Sequence, residues 1–500
     1  MGTGKSTVGR RVAHAMNLRF IDLDAELEAR LGKTVSEYFA DEGETRFRAQ
    51  EAELALELSR DEDLLIALGG GTVTNGAVRR ALCARGLLVT LTCDVGVLAE
   101  RLGGDSTRPL LGRGEELPRR LANIAKERAA AYAECHAEVD AGATPDEVAA
   151  RVRERIIDAP LAVMLGARSY RVEIGRGAIA RRPSTSTGEL EVADTNTSRY
   201  AGSAFELQAG ESHKTIEAVA SIWDEAIGRG LDRHSRFVGV GGGVVGDLTG
   251  FASSSYLRGV RFGLVATSIV AMVDSSVGGK TGFNRPGGKN LVGAFHQPEF
   301  VVCDIDMLHS LPEDEYRSGL AEVVKSLWLD SDERVREIES LVDALNAREP
   351  RAVEQVVRGS VALKARIVEA DEREKGQRML LNLGHTLGHG FEAAAGFGAL
   401  RHGDAVSLGM AAACDVSLAL GAMSVDGARR MRGLLERMRL PTDYERHLTR
   451  ASLAFVERDK KRVGDAIRFV LPHEPGETTL TELKPAELPA LLSRGASKRA

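Results

Sequence analysis

At 500 residues the chain is too long for one hydrophobic core and has room for roughly three domains of ~150 residues each. Hydrophobic residues at 43% and charged residues at 28% exclude a disordered or fibrous chain, and a net charge of −6 spread along the sequence argues against a general nucleic-acid binder and for small-molecule partners. The five cysteines, Cys83, Cys93, Cys135, Cys303 and Cys414, never fall at CxxC spacing and read as reduced thiols. No run approaches the ~18 uninterrupted apolar residues of a membrane span, and the N-terminus lacks the apolar run of a signal peptide. A cytoplasmic enzyme without a membrane or nucleic-acid partner is therefore expected.

From residue 5 to about 157, short apolar runs (64–68, 87–91) alternate with amphipathic segments (44–60, 117–134), the rhythm of a parallel βαβ sheet. Asp158-Ala159-Pro160 stops the last helical pattern, and the alternation Tyr170-Arg171-Val172-Glu173-Ile174 opens a new strand, which places a domain boundary between them. From 163 to 308, glycine-rich turns separate apolar runs (237–240, 262–265), again an α/β pattern. After Leu311-Pro312 long amphipathic stretches (313–328, 351–368, 404–420) predict a helical domain over 309–495, ending in a short strand at 467–471 and a frayed basic tail.

The first chemistry-bearing motif is Met1-Gly2-Thr3-Gly4-Lys5-Ser6-Thr7, the second half of a phosphate-binding loop. Gly2 and Gly4 expose backbone N–H groups, Lys5 reaches the β/γ-phosphates, the Ser6 hydroxyl takes Mg²⁺, and Thr7 continues the cradle. Phe20-Ile21-Asp22-Leu23-Asp24 reads as a strand end with two carboxylates on one face, or as a solvated acidic helix cap. Gly69-Gly70-Gly71 follows an apolar run and permits close approach of a ligand, or simply makes a turn. Arg48, Arg108, Arg113 and Arg128 supply cations.

In order and spacing over residues 1–157, these segments, with Gly43-Glu44, Phe47-Arg48 and Thr107-Arg108-Pro109-Leu110-Leu111, resemble shikimate kinase. The resemblance implies Lys5 and Arg108 on the ATP phosphates, Ser6 and Asp22 on Mg²⁺, and Asp24, Arg48, Gly70, Gly71 and Arg128 around shikimate. Phosphoryl transfer needs positioning, charge neutralisation and a carboxylate to orient the attacking hydroxyl, which suits this set. A complete loop has its first glycine five residues before Gly4, preceded by a strand. The expectation is accordingly that Met1 is an internal methionine of a longer protein. About ten further residues would form an apolar strand ending in glycine, and the 500-residue form would phosphorylate shikimate poorly.

In the remaining two-thirds, Gly241-Gly242-Gly243-Val244-Val245-Gly246-Asp247 follows an apolar run and offers a helix N-terminus to a pyrophosphate, or is a plain turn. Upstream lies the polar cluster Glu211-Ser212-His213-Lys214-Thr215. Leu383-Gly384-His385-Thr386-Leu387-Gly388-His389, His402-Gly403-Asp404 and Ala321-Glu322-Val323-Val324-Lys325 contain the two histidines and one carboxylate of a catalytic zinc set with an open position. Histidines four apart on a helix could both be ligands, but the glutamate of a zinc protease motif is replaced by Thr386, and satisfied helix histidines are the plainer alternative. Asp274, Lys280, Lys289, Asn290, Arg258, Lys364, Arg378, Asn382 and Lys460-Lys461 add a concentration of charge suited to a phosphorylated, carboxylated substrate.

From about Val163 onward, Gly-Asp-Leu-Thr-Gly-Phe, Tyr256-Leu257-Arg258-Gly259, Val-Asp-Ser-Ser-Val-Gly-Gly-Lys-Thr and Gly-Lys-Asn-Leu-Val-Gly-Ala-Phe-His-Gln-Pro resemble 3-dehydroquinate synthase. The resemblance implies Glu322, His385 and His402 as Zn²⁺ or Co²⁺ ligands, with His389 facing substrate. It implies Glu211, Lys214, Gly243, Val244, Val245, Gly246, Asp247, Thr267 and Ser268 on NAD, joined by Lys280 and Lys289. Lys280, Asn290, Arg378, Asn382 and His389 would hold the phosphate, Asp274, Lys325 and Lys364 the hydroxyls and carboxylate, and Arg258 would join the catalytic set. The implied reaction takes 3-deoxy-D-arabino-heptulosonate 7-phosphate to 3-dehydroquinate by oxidation, phosphate elimination, re-reduction, ring opening and aldol closure, with NAD regenerated in each turnover. One departure falls at 180–205, where Pro183-Ser184-Thr185-Ser186-Thr187-Gly188-Glu189 stands in place of the family's early strand, so no adenine-side contact is assigned there.

The combined expectation is an α/β chain: a P-loop kinase-like parallel sheet lacking its first strand (1–157), a Rossmann-like NAD-binding domain (163–308) and a helical metal-binding domain (309–495). Its two activities would use ATP with Mg²⁺ and NAD with Zn²⁺ or Co²⁺, and a homodimer through the synthase part is expected. Competing readings are a catalytically dead kinase-like interaction module ahead of a synthase, and a metal-dependent alcohol dehydrogenase-like oxidoreductase that releases NADH.

Overall fold

The computed structural model describes residues 2–61, 63–102, 116–157, 159–184, 188–285, 288–396, 399–457, 462–463 and 466–499. The chain divides into two compact units, Met1–Arg171 and Val172–Ala500.

In the first unit the helix Lys5–Met16 starts from Gly4 at φ +79°, a left-handed conformation that costs glycine nothing because it has no Cβ. The buried face of this helix, Val8, Gly9, Val12 and Ala13, lies over two parallel strand pairs. Arg19–Asp22 pairs with Leu64–Ala67, and Val89–Thr92 pairs with Ala137–Asp140. Leu65 of one pair and Val89, Leu91 and Val139 of the other share a single apolar cluster with Val8 and Val12. Among the described residues no ladder joins the two pairs, so the helix bridges them by side-chain packing alone.

The expectation for Asp22 and Asp24 is corrected. The strand ends at Asp22, whose Oδ1 accepts the N–H groups of Asp24 and Ala25 at 3.2 and 3.5 Å and so caps the helix Leu23–Leu31. Asp24 stands in the first helical turn, because an aspartate at the cap satisfies orphan donors that a strand would leave elsewhere.

The second unit is built on a seven-stranded sheet in which six neighbouring strands run in the order Tyr170–Gly175, Phe300–Asp304, Arg261–Ala266, Arg236–Gly241, Glu189–Asp194, Phe205–Leu207. The last five are parallel to their neighbours. All six residues of Arg236–Gly241 are buried, as expected of a strand covered on both faces. A β-hairpin, Lys280–Arg285 with Gly288–Phe295, leaves this sheet. The long helices Glu313–Asp330, Pro350–Ala370, His385–Ala395 and His402–Leu420 follow. His402–Leu420 is long and apolar enough to cross a membrane, yet 89% of that stretch is buried inside the protein, as befits a core helix.

Two further expectations are overturned here. The strand missing from 180–205 is present as Glu189–Asp194, with Leu190 and Val192 fully buried. Its polar look comes from Glu189 and Glu191, which are held by Arg182, and Glu189 also takes Arg236 at 2.6 Å. Paired carboxylates can stand in a strand where unpaired ones would be disfavoured. The C-terminus is also no frayed tail. Thr478–Leu483 forms a hairpin with Ala466–Pro472, and Leu488–Arg499 is a helix burying Leu488, Leu491, Leu492 and Gly495. A Cβ on Gly495 would stand 1.8 Å from the Asp415 carbonyl oxygen, so this helix packs backbone-close on the core helix.

Candidate active sites

In the first unit the Ser6 hydroxyl donates to Asp22 Oδ2, which brings the loop serine and the strand-end carboxylate together. Around Gly69-Gly70-Gly71 three charged groups converge. A Cβ on Gly70 would lie 2.7 Å from Arg128 Nη1, one on Gly71 would lie 2.5 Å from Arg48 Nη1, and one on Gly69 would lie 3.2 Å from Asp24 Oδ1. The bare glycine backbone lets these side chains come close. Arg48 is held by Glu51 at 2.8 Å and by Glu44 at 3.2 Å. Glu51 is 1% exposed and also accepts the Thr72 hydroxyl at 2.8 Å, an anchor that the sequence reading did not name. Tyr132 donates to the Gly70 carbonyl at 2.9 Å. Arg108 and Arg113 lie outside the described residues.

In the second unit Glu322 is fully buried on the helix Glu313–Asp330, with His402 Nε2 3.1 Å and His385 Nε2 3.4 Å from its Oε1. His385 opens its helix after Gly384, at φ +77°, and its Nδ1 lies 3.1 Å from the Leu383 carbonyl, so Nε2 is the nitrogen presented to Glu322. One carboxylate and two imidazoles, their ligand atoms within 4.8 Å of one another, fit a Zn²⁺ or Co²⁺ ion with an open position. His389, one turn on, is exposed, its ring 5.3 Å from that of His385.

Beside this trio opens a cavity of about 150 Å³ lined by Asp247, Asp274, Lys280, Asn290, Lys325, Lys364, Arg378, Asn382 and His385, among others. Lys325 Nζ is 2.5 Å from Glu322 Oε2, and Lys364 Nζ is 2.5 Å from Asp274 Oδ1. Burial alone would raise both acids, but the ammonium groups of Lys364 and Lys325 hold Asp274 well below the carboxylate range, and Lys325 with His385 does the same for Glu322. Burial pulls the Lys364 ammonium down to about 8, with Asp274 opposing. Burial also works against charge on His402, yet the hydrogen bond to Glu322 and the nearby Glu392 carboxylate raise it to about 9. The Arg378 guanidinium, 1% exposed, donates to the Gly278 carbonyl at 2.9 Å.

The glycine loop ends the strand Arg236–Gly241 and opens the helix Gly243–Ser255. A Cβ on Gly241 would lie 2.6 Å from Val245, and one on Gly243 would lie 3.1 Å from Ser275 Oγ. The bare backbone forms a cradle of the kind a pyrophosphate needs. Ser268 stands beside Gly242, and Thr267 N–H donates to the Gly241 carbonyl at 3.0 Å. Lys214 joins Asp247 at 2.5 Å and Asn290 at 2.6 Å.

Residues 204–318 match the family model of the 3-dehydroquinate synthase N-terminal domain, 319–462 that of its C-terminal domain, and 1–157 that of shikimate kinase. The 3-dehydroquinate synthase of Acidithiobacillus ferrooxidans is 41% identical over 348 residues, 66% of this chain and 96% of that protein. The chain belongs to the 3-dehydroquinate synthase family. A shikimate kinase domain precedes its synthase part. The 3-dehydroquinate synthase of Thermosynechococcus vestitus is 42% identical over 285 residues, 56% of this chain and 77% of that protein. Among solved structures, a 2-epi-5-epi-valiolone synthase from Streptomyces hygroscopicus with NAD⁺ and Zn²⁺ bound is similar at 25% identity and TM-score 0.59, covering 66% of this chain and 97% of that one.

Within this synthase part, Arg258 does not line the cavity. It is exposed at φ +69°, next to Leu257 at φ +47°. Lys460 and Lys461 lie outside the described residues. Three acids escaped the sequence reading. Glu374 pairs with Lys280 at 2.5 Å and accepts from Asn382 at 3.2 Å. Glu392 pairs with Lys289 at 2.6 Å. Asp194 ends the recovered strand beside the glycine strand, where its turn is tied down by the Thr197 hydroxyl donating to the Val240 carbonyl at 2.8 Å. The signal for Asp194 was an acid at the end of the strand neighbouring a glycine loop.

Proposed function

We propose that this one chain catalyses two steps of aromatic-ring biosynthesis: phosphorylation of shikimate by Mg-ATP, and conversion of 3-deoxy-D-arabino-heptulosonate 7-phosphate to 3-dehydroquinate. The observation that carries the second is the buried Glu322–His385–His402 trio at the wall of a cation-rich cavity beside the glycine cradle.

Glu322, His385 and His402 hold Zn²⁺ or Co²⁺, and Gly243 to Asp247, with Glu211, Lys214, Thr267, Ser268 and Lys289, hold NAD. When bound, the ion supplies Lewis-acid polarisation of the hydroxyl to be oxidised, and the nicotinamide supplies a hydride acceptor that returns the hydride later in the cycle. Lys280, Arg378 and Asn382 neutralise and orient the phosphate, with Asn290 and His389 completing its surroundings. Lys325, Lys364 and Asp274 bind the hydroxyls and carboxylate in a geometry fixed before substrate arrives. Asp194 suits the NAD ribose.

In the first unit Ser6 and Asp22 take Mg²⁺, with Lys5 on the ATP phosphates. Arg48 and Arg128 grip the shikimate carboxylate, Gly70 and Gly71 let it approach, and Asp24 orients the attacking hydroxyl. The test of the whole reading is stoichiometry on the purified chain. One phosphate should be released per 3-dehydroquinate formed with no accumulation of NADH at 340 nm, and ADP should form only when shikimate is present. Net NADH release would instead establish a simple oxidoreductase.

A further inference from the structure

Both ring nitrogens of His402 face carboxylates. Nε2 lies 3.1 Å from Glu322 Oε1, while Nδ1 lies 3.7 Å from Glu392 Oε2 on the opposite side of the ring. Glu392 is 5% exposed, and its other oxygen lies 2.6 Å from the Lys289 ammonium. Lys289 sits on the hairpin strand Gly288–Phe295 and is also 3.6 Å from Glu211 Oε1. The Glu211 carboxylate in turn accepts from Asn284 Nδ2 at 2.8 Å. A continuous chain of charge therefore runs from Glu211 through Lys289 and Glu392 to His402.

A second His–Glu–His group, His389, Glu392 and His402, could on spacing alone hold a cation of its own. The Lys289 ammonium already neutralises Glu392 from within hydrogen-bond distance, so a second ion there would compete with a fixed positive charge. A carboxylate behind a ligating imidazole fixes the tautomer and aims the ring.

Resting on the metal and NAD assignment above, we propose that Glu392 is a positioning residue that aims His402 at the Glu322 site, and that Lys289 makes its hold depend on the nucleotide side. Glu392 meets His402 on one side and Lys289 on the other, and acts on the metal site through His402. With Glu211 and Lys289 engaged by NAD, the Lys289–Glu392 pair is fixed and the metal is held more tightly.

The test is Co²⁺ binding to the metal-free full chain without ATP, by competition with a chelator and by visible absorption, with and without NAD. Wild type should bind one Co²⁺ at this site, more tightly with NAD present. Glu392→Gln should keep one ion per chain but bind it about 10–100-fold more weakly and with shifted absorption bands. Lys289→Gln, assayed with NAD at a concentration shown by direct titration to saturate that variant, should lose the NAD dependence of Co²⁺ affinity while the circular dichroism of the apo chain stays unchanged, which guards against misfolding. Wild-type affinity and spectrum in Glu392→Gln would overturn the proposal while leaving the metal site standing, and so would two ions in wild type reduced to one in that variant. Absence of Co²⁺ from wild type would overturn the underlying site as well.

Discussion

The two units hold their charged groups in opposite ways. In the first, Arg48 is gripped from one side by a buried glutamate and from the other by Glu44, a residue in open solvent. In the second, Glu322 and Lys325 on the helix Glu313–Asp330 and Arg378 in the turn Gln377–Asn382 are held at 1% exposure or less. The first site suits chemistry in which ligands bring most of the charge and the protein positions them. The second must handle a substrate whose intermediates develop charge at several atoms, and a low-dielectric, pre-arranged set of ions makes each interaction stronger. The difference is therefore one of where organisation is stored: in the ligands for one unit, in the protein for the other.

The largest effect expected from that contrast comes from breaking the buried set. Glu322→Gln should strip the synthase of metal and lower its turnover about a thousandfold or more, because an open three-ligand site cannot spare a ligand. His389→Ala should keep full metal content and still turn over slowly. Elemental analysis with phosphate-release kinetics separates the two, and metal loss in the His389 variant would place that histidine in the ligand set.

In the first unit, Arg48→Met should raise the KM for shikimate about 30–100-fold, the worth of a charge-assisted fork to a carboxylate. Glu51→Gln should cost about tenfold through the same guanidinium, because the arginine then loses its anchor. Equal effects from Glu44→Gln and Glu51→Gln would erase the distinction between the exposed and buried partners.

The buried set also predicts a pH signature. Lys364 binds an anion only when protonated, and its folded-state value of about 8 lies below that of a solvated lysine. Synthase KM should be flat below pH 8 and climb above it by up to about tenfold per pH unit. The kcat profile should bend at higher pH, because a bound anion stabilises the charged lysine. Lys364→Arg should flatten the rise in KM, and a rise that persists in this variant would assign it to another group.

The smallest expected effect is on unfolding. Calorimetry should show two transitions, the lower raised by Mg-ATP and the upper by NAD with Zn²⁺, each by a few degrees for ligand at about 100 times its Kd. A single transition raised by either set of ligands would show that the units do not unfold separately.

Glycine loops and the helical rhythm after residue 311 were legible in the sequence because local pattern and chemistry coincide there, and the resemblance singled out Glu322, His385 and His402, whose side-chain ligand atoms lie within 4.8 Å of one another. The elements that were misread are those where a distant partner changes the meaning of a residue. Glu189 and Glu191 look like loop glutamates until Arg182 and Arg236 neutralise them in a sheet. Glu51, Glu374 and Glu392 look like solvated acids, and only contacts with Thr72, Lys280 and Lys289 reveal them as anchors. For Asp22 and Asp24 the sequence allows both a strand end and an acidic helix cap, and the cap overrides the strand alternation at Leu23.

The most direct test of the account is a cross-assay of both activities on the wild type, Asp24→Asn and His385→Ala. Asp24→Asn should lose shikimate-dependent ADP formation and keep phosphate release from the heptulosonate. His385→Ala should do the reverse. A substitution that abolishes both activities in a folded chain, or a shikimate-dependent ADP rate unchanged by Asp24→Asn, would contradict two independent active sites in one chain.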